Sequence, residues 1–515
     1  MKKTCFVTTP IYYASGPLHL GHIYCTTVAK TISNYKKIMG YDVKFLTGSD
    51  EHGQKIEQKA KLNNKSPKEY VDDLVLSYKD VWKKWHIDYD YFSRTTSAEH
   101  IESVSDIFEL FLQKGLIYRD KYNGLYSVED EEFLTESQAT KKDDEFFHPV
   151  SGHKLINVSE DSYFFDINRF ITWWKNEIVE NPDFLSPQKI LSEVNKNFIN
   201  EGIENLSVTR QHIKWGIPVK SDSKHILYVW LDALFNYITA LGYSPNNKGQ
   251  DYIKYWENGN EIIHIIGKEI SRFHFIYWPI FCKALNIKIP SKIYAHGLLR
   301  DKDGRKMSKS LNNVIDPDYL LNKYDHEMVK YYLTTQITFG EDGNFSEEKL
   351  IDTVNSDLVN NYGNLISRTL KMISNSFPNG MFYRKNSKKE HIDIEQKIES
   401  FSNNFISFME DFKIDKALSS AMKLSDALNK YIDELKPWLL KNDSEKYELE
   451  SILIRLLHGI YAISWGLQIV IPEQIKNVAK ALNVETFELD KITDMKKFDN
   501  HKMTDKFILY SRIKK

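Results

Sequence analysis

Two short strings in this sequence carry groups suited to handling phosphate. The first is Gly16-Pro-Leu-His19-Leu-Gly21-His22. If a helix starts there, its N-terminus offers backbone N–H groups and positive dipole, and Gly21 permits close backbone approach. Two histidines on that first turn can face the same phosphate and stabilise a pentavalent phosphoryl transition state. The second is Gly304-Arg-Lys306-Met-Ser308-Lys309-Ser310, in a polar loop after Ala295-His-Gly-Leu. Two lysines flanking a serine suit the grip on a polyphosphate that is about to leave. Each string also has a bland meaning. HLGH fits a structural histidine pair at a helix start, and KMSKS fits a solvated basic loop. A metal at the histidines would need a third ligand, and none lies nearby in sequence.

The elements around these strings form an ordered series. Cys5 to Thr9 is short, apolar and β-prone and stops at Pro10. A loop with Ser15, Gly16 and Pro17 follows, then a helical pattern from about Leu18 to Met39, then a second strand from Asp42 to Thr47. Strand, glycine loop, helix, strand is the opening of a parallel α/β unit. Ser66-Pro67-Lys68-Glu69 reads as a capping box with Pro at the first helical position. Val71, Leu74, Val75, Tyr78, Trp82 and Trp85 then recur at helical spacing, which makes the Trp pair core. The stretch from about 115 to 215 breaks the pattern with short strands and polar runs, as an insertion would. Strand texture returns at Ile262–Gly267 and Ile293–Gly297, and beyond about 355 the chain is helical, with breaks near 377–379 and 385–390.

Composition sets the outer bounds. With 515 residues, 42% hydrophobic and 27% charged, the chain is globular and long enough for two to four domains. A net charge of −2 excludes a polybasic nucleic-acid binder, though a local basic face can still bind RNA. Cys5, Cys25 and Cys282 form no CxxC pair, which argues against a disulfide framework and a thiolate zinc site and for a reducing compartment. No run of 18 apolar residues occurs, so no membrane span is expected.

HLGH followed by KMSKS, in that order, resembles the signature of class I aminoacyl-tRNA synthetases. The surrounding text resembles the methionyl branch of that family: Thr8-Thr-Pro-Ile-Tyr-Tyr13, Gly48-Ser-Asp50-Glu-His-Gly53, Trp215-Gly-Ile-Pro-Val219, Tyr228-Val-Trp230-Leu-Asp-Ala233, and Ile266-Gly-Lys-Glu269-Ile270 with Arg272-Phe-His274. Asn361-Tyr-Gly-Asn364-Leu-Ile-Ser-Arg368 and Lys436-Pro-Trp438 are similar to that branch's anticodon-binding helices, and the likeness runs from residue 4 to Ile513. It implies a Rossmann-like parallel-sheet α/β catalytic domain with a connective insertion, followed by an all-α anticodon-binding helical bundle. The expected bounds are 1–115 for the first catalytic half, 116–215 for the insertion, 216–295 for the second half, 296–355 for the KMSKS loop and stem-contact region, and 356–515 for the bundle.

By this resemblance the chain activates L-methionine with ATP and Mg²⁺ and loads it onto initiator and elongator tRNA(Met). His19 and His22 would act at the α-phosphate, and Lys306 and Lys309 on the leaving pyrophosphate. Gly21, Gly267, Glu269 and Ser308 would complete the ATP site; Asp is frequent in the family where Glu269 stands, which leaves its ribose contact open. Ile11, Tyr13, Trp230, Ala233, Leu234, Tyr237, Ile270 and His274 would hold the thioether, which packs well on aromatic rings. Asp50 would hold the ammonium. Trp438 would stack an anticodon base, with Asn364 and Arg368 hydrogen-bonding. Many relatives carry a Cys-rich zinc knuckle in the insertion. This one has no Cys there, His148 and His153 complete no tetrahedral set, and neither zinc nor any other bound metal is expected. No appended domain follows the bundle, so a monomer is expected. With no Arg-rich segment before Thr4, the expected location is the bacterial cytoplasm. A small-molecule nucleotidylyltransferase would not need the helical bundle. A non-catalytic paralogue would not keep both motifs, and a cysteinyl enzyme would need thiolate zinc ligands.

Overall fold

The structure is a computed structural model. It describes the chain apart from residues 1, 129–131, 135, 137–138, 150, 201, 308–312, 385, 505 and 515. The chain divides into two compact units, Met1–Ser33 with Gly40–Leu298, and Asn34–Met39 with Leu299–Lys515.

The first unit is built on a six-stranded parallel sheet. Its strands are β1 (Thr4–Tyr13), β2 (Asp42–Asp50), β3 (Tyr91–Arg94), β4 (Leu185–Ser186), β5 (Glu261–Gly267) and β6 (Lys292–His296), in the spatial order β3-β2-β1-β5-β6-β4. From β1 the chain winds outward through β2 and β3, and after the insertion it returns to β5 on the other side of β1. The strand order therefore reverses between β1 and β5, and open α/β sheets bind ligands in the crevice beyond the carboxyl ends of strands at such a reversal. Phe6, Ile262, Ile266, Trp256 and Trp278 belong to the buried cluster against this sheet. Each contributes about 1.5–3 kcal/mol relative to exposure.

Two details depart from the sequence reading. Strand β1 does not stop at Pro10 but continues to Tyr13, with a register shift between Thr8 and Ile11. A proline lacks the ladder N–H, and a bulge is where a sheet tolerates that loss. Thr9 Oγ1 donates to the Pro10 carbonyl at 2.7 Å and accepts from the Thr47 hydroxyl at 2.8 Å, which holds the irregular segment. The second departure is β4, which lies inside the expected insertion yet pairs with β6 in the main sheet. The rest of the insertion includes a long antiparallel pair, Ile117–Ser127 against Ile156–Phe165.

Four helices matter for the site: α1 (Leu20–Ile38), whose first residues to Ser33 belong to this unit, α2 (Pro67–Lys84), α3 (Ala98–Gln113) and α4 (Val229–Leu234). Helix α2 starts at the expected capping box, with Ser66 accepting from the Glu69 amide, and Trp82 and Trp85 are fully buried.

The second unit is mainly helical, with α5 (Asn364–Ser376), α6 (Lys389–Glu410), α7 (Ile414–Leu435), α8 (Lys446–Leu467) and α9 (Pro472–Leu482). Helix α8 is buried on every side from Leu449 to Leu467, as the central helix of a bundle must be. Gly459 makes its contact with α7 possible, since a Cβ there would sit 2.3 Å from Leu428 Cδ1. No described helix is long and apolar enough to cross a membrane.

Candidate active site

Chemistry-bearing side chains gather where β1, β2 and β5 end. At the end of β1, His19 stands just before α1 and His22 within its first turn, their rings 3.9 Å apart. The backbone fixes both tautomers. The His19 amide donates to His22 Nδ1 at 2.9 Å, and the Gly21 amide donates to His19 Nδ1 at 3.1 Å. An imidazole that accepts at Nδ1 carries its proton on Nε2 when neutral. Burial first, and then the neighbouring His19, holds His22 well below the usual imidazole range, so it is neutral. The pair thus offers two Nε2–H donors. Gly21 is required by this packing, because a Cβ would lie 2.9 Å from His19 Cε1. Tyr12 stands edge-on to His22 at 4.7 Å and bonds Thr26 Oγ1 at 2.7 Å; it was not singled out in the sequence, where an aromatic in a strand reads as core.

At the end of β5, Gly267 leads into Lys268–Ile270. A Cβ on Gly267 would lie 2.5 Å from Glu269 Oε2, so this glycine lets the exposed Glu269 side chain fold back over the strand end. The next segment, Phe273–Tyr277, forms a wide π-type turn carrying His274, a distortion frequent at functional sites. His274 is 2% exposed. Its Nδ1 lies 3.0 Å from the Ile270 carbonyl and its Nε2 2.7 Å from Tyr237 Oη. A carbonyl can only accept, so Nδ1 carries the proton and Tyr237 donates to Nε2. Burial pushes His274 down to about 4, against the pull of the Ile270 carbonyl. Trp230 lies flat on Phe273, centroids 3.8 Å apart, and edge-on to His274 at 6.3 Å. The structure therefore brings together Trp230, Tyr237, Ile270 and His274, with Ala233 and Leu234 buried on the same short α4 as Trp230.

Ile11, Tyr13 and Asp50 form a second group. Tyr13 is the register partner of Asp50 and Ile11 that of Gly48 across β1 and β2. Asp50 is 8% exposed at the very end of β2, which runs three residues beyond the expected Thr47. The loop that follows is clamped from several sides. Glu51, fully buried, takes Arg94 Nε and Nη2 at 2.7 and 2.8 Å and the Thr96 hydroxyl at 2.5 Å. The Trp215 indole donates to the Glu51 carbonyl at 2.5 Å, and the Gly53 amide donates to the Trp215 carbonyl at 3.0 Å. His52 Nδ1 meets Asp232 Oδ2 at 2.6 Å. Burial works to raise the Asp232 carboxyl, yet His52 and His100 together hold it below its ordinary range. None of these anchors was legible in the sequence as a site, because they are drawn from distant segments.

A model of the family described as tRNA synthetases class I (M) matches residues 5–143 and 144–370. The chain is also 51% identical to the methionine–tRNA ligase of Mycoplasmopsis pulmonis, over 100% of both chains. It belongs to the methionine–tRNA ligase family of class I synthetases. The methionine–tRNA ligase of Halalkalibacterium halodurans is 41% identical over 94% of this chain and 74% of its own length. Among solved structures, the Mycobacterium tuberculosis methionyl-tRNA synthetase in complex with methionyl-adenylate superposes with a TM-score of 0.92 at 28% identity, over 99% of this chain and 100% of that one.

The remaining residues expected from the methionyl family lie in the second unit. Lys306 is exposed beside an Asp301-centred turn, in which Asn313 Nδ2 and the Arg305 amide each donate to Asp301 at 2.9 Å. Ser308 and Lys309 lie outside the described residues. Arg368 and Trp438 are together, the guanidinium 5.7 Å from the indole centroid and held at 3.0 Å by Asp433. Trp438 is 45% exposed on the turn Pro437–Leu439, which follows a left-handed Lys436 at the end of α7. Asn364 is exposed one turn before Arg368 on α5, beside a cleft of about 410 Å³ lined by Asn360, Gly363, Ser367 and Leu509.

The cysteines are Cys5, Cys25 and Cys282, all buried outside the insertion. His148 accepts the Ser151 amide at Nδ1 at 3.0 Å and is 6% exposed, so its ring serves the turn.

Proposed function

We propose that this chain activates L-methionine with ATP, giving methionyl-adenylate and pyrophosphate, and passes the methionyl group to the 3′-terminal adenosine of tRNA(Met). The observation that carries the reading is the junction at the ends of β1 and β5, where paired Nε2–H donors stand on one strand end and an aromatic cluster around a neutral His274 on the other. The family membership and the adenylate bound in the Mycobacterium tuberculosis relative support it.

A carboxylate is already a nucleophile, so no general base is needed, and positioning with electrostatics carries the rate. Asp50 would pair with the substrate ammonium. The thioether would lie against Trp230 with Tyr237 and His274 behind it. His19 and His22 would donate to the α-phosphate as charge develops, and Lys306 and Lys309 would draw off the pyrophosphate. Mg²⁺ would enter on the ATP phosphates. The tRNA would be read at Trp438, Arg368 and Asn364 for both initiator and elongator species, by a monomer in the cytoplasm and without structural zinc. ATP–pyrophosphate exchange tests the activation step. Exchange with methionine but not leucine, isoleucine or cysteine, lost in Lys309→Ala, is the expected result. Exchange with none of them would overturn the reading.

A further inference from the structure

Asp232 has no place in the mechanism above, yet it is 1% exposed and sits between Trp230 and Ala233 on α4. Both of its oxygens are engaged by histidines from other elements. Oδ2 meets His52 Nδ1 at 2.6 Å, two residues after Asp50, and Oδ1 meets His100 Nε2 at 2.7 Å, from α3. His100 Nδ1 in turn meets Thr239 Oγ1 at 2.7 Å, in the segment Asn236–Thr239 that also carries Tyr237. His52 is 5% and His100 2% exposed, and the His52 ring stands edge-on to Trp215 at 5.4 Å.

The chemistry of these contacts is directional. A carboxylate that accepts from two imidazoles requires N–H on each facing nitrogen. Removing one partner leaves a buried polar group unsatisfied, so the arrangement holds as a set. It ties the loop that follows Asp50 to the helix that presents Trp230. Those residues hold opposite ends of the proposed substrate, the ammonium and the thioether.

We propose that the His52–Asp232–His100 bridge is a ruler for amino-acid length, with Asp232 as the positioning residue that fixes the spacing between the Asp50 carboxylate and the Trp230 wall. This rests on the methionine-site reading given above. A pocket that discriminates by shape gains only a modest factor for one methylene, so the spacing of its two anchors must be held tightly. The bridge supplies that spacing without touching the substrate.

The test uses the full chain in ATP–pyrophosphate exchange, with methionine and with ethionine, which is longer by one methylene. For Asp232→Asn and His52→Leu we expect the methionine KM to rise about tenfold, with the ATP KM unchanged and the preference for methionine over ethionine narrowed about tenfold. His52→Asn, whose amide nitrogen can occupy the place of Nδ1, should restore most of both losses. The inference is overturned if methionine and ATP KM move together with the preference unchanged, or if the Leu and Asn variants behave alike. Should Asp232→Asn not fold, as judged by thermal melting, the two His52 variants decide the matter. A wild-type enzyme with no methionine-dependent exchange would defeat the underlying reading. Wild-type exchange with unaltered variants would defeat this inference alone.

Discussion

In the parallel-sheet unit, Tyr237 and His274 keep only 1% and 2% of their surface in contact with solvent, while Trp438 of the helical unit keeps 45%. The first two side chains are buried, and their polar atoms have fixed partners: Tyr237 donates to His274, and His274 to the Ile270 carbonyl. A thioether side chain offers few hydrogen bonds, so the surface that receives it must be desolvated with its own polar groups already satisfied. The Trp438 face is the reverse. Its indole is exposed, and its companion Arg368 is held by a partly solvated Asp433. A nucleobase brings its own flat face and its own donors, and a stacking platform has to be open to receive it. On the proposed reading, the first region would recognise by shape on a buried surface, and the second would receive a partner that completes it.

That contrast can be broken in order of expected effect. His22→Ala should lower the rate of methionine-dependent exchange by about 10²–10³-fold, the usual cost of one donor to a transition state. A much smaller loss would mean that the Nε2–H donors do not face the reacting phosphate. Trp230→Ala removes a stacked wall of the proposed methionine site. At about 3 kcal/mol for loss of a packed Trp, the methionine KM should rise roughly a hundredfold in the exchange assay, with little change for ATP. Tyr237→Phe deletes one hydroxyl and leaves His274 Nε2 without its donor. A buried unsatisfied acceptor costs about 1–3 kcal/mol, and isothermal titration should show methionine binding weaker by about tenfold.

A further effect is one of pH, read in stability and not in rate or binding. His274 has a folded pKa of about 4, against 6.5 as its ordinary value. Between those values the unfolded chain binds the extra proton and the folded one refuses it. Stability therefore rises with pH across that window and is lost as pH falls through it. Thermal melting of His274→Gln over pH 4–6.5 should show a flatter dependence than the wild type, and an equal slope would sink the assignment.

The sequence spoke clearly wherever the physics is local. The Ser66–Glu69 capping box is a reciprocal pair within one helical turn, and it stands as expected. The opening strand, glycine loop and helix were visible because periodicity changes sharply there. Pro10 misled the reading, since a bulge that excuses a proline is set by the neighbouring strand and not by the residue itself. Leu185–Ser186 is too short for any periodicity, and its place beside β6 is a matter of topology. Asp232 was visible only as part of a family string. Its partners lie at His52 and His100, and nothing in a linear pattern couples those positions. Buried polar networks of this kind are specified by three-dimensional packing, and they escape a reading based on spacing.

The most direct test of the account is a paired measurement on Trp438→Ala, comparing ATP–pyrophosphate exchange with charging of tRNA(Met). Loss of a stacking platform costs about 1–3 kcal/mol. Charging efficiency should therefore fall by roughly five- to 150-fold while methionine-dependent exchange stays within about twofold of wild type. Exchange that fell in step with charging would contradict the claim that a closed amino-acid site and an open RNA-facing surface divide the work.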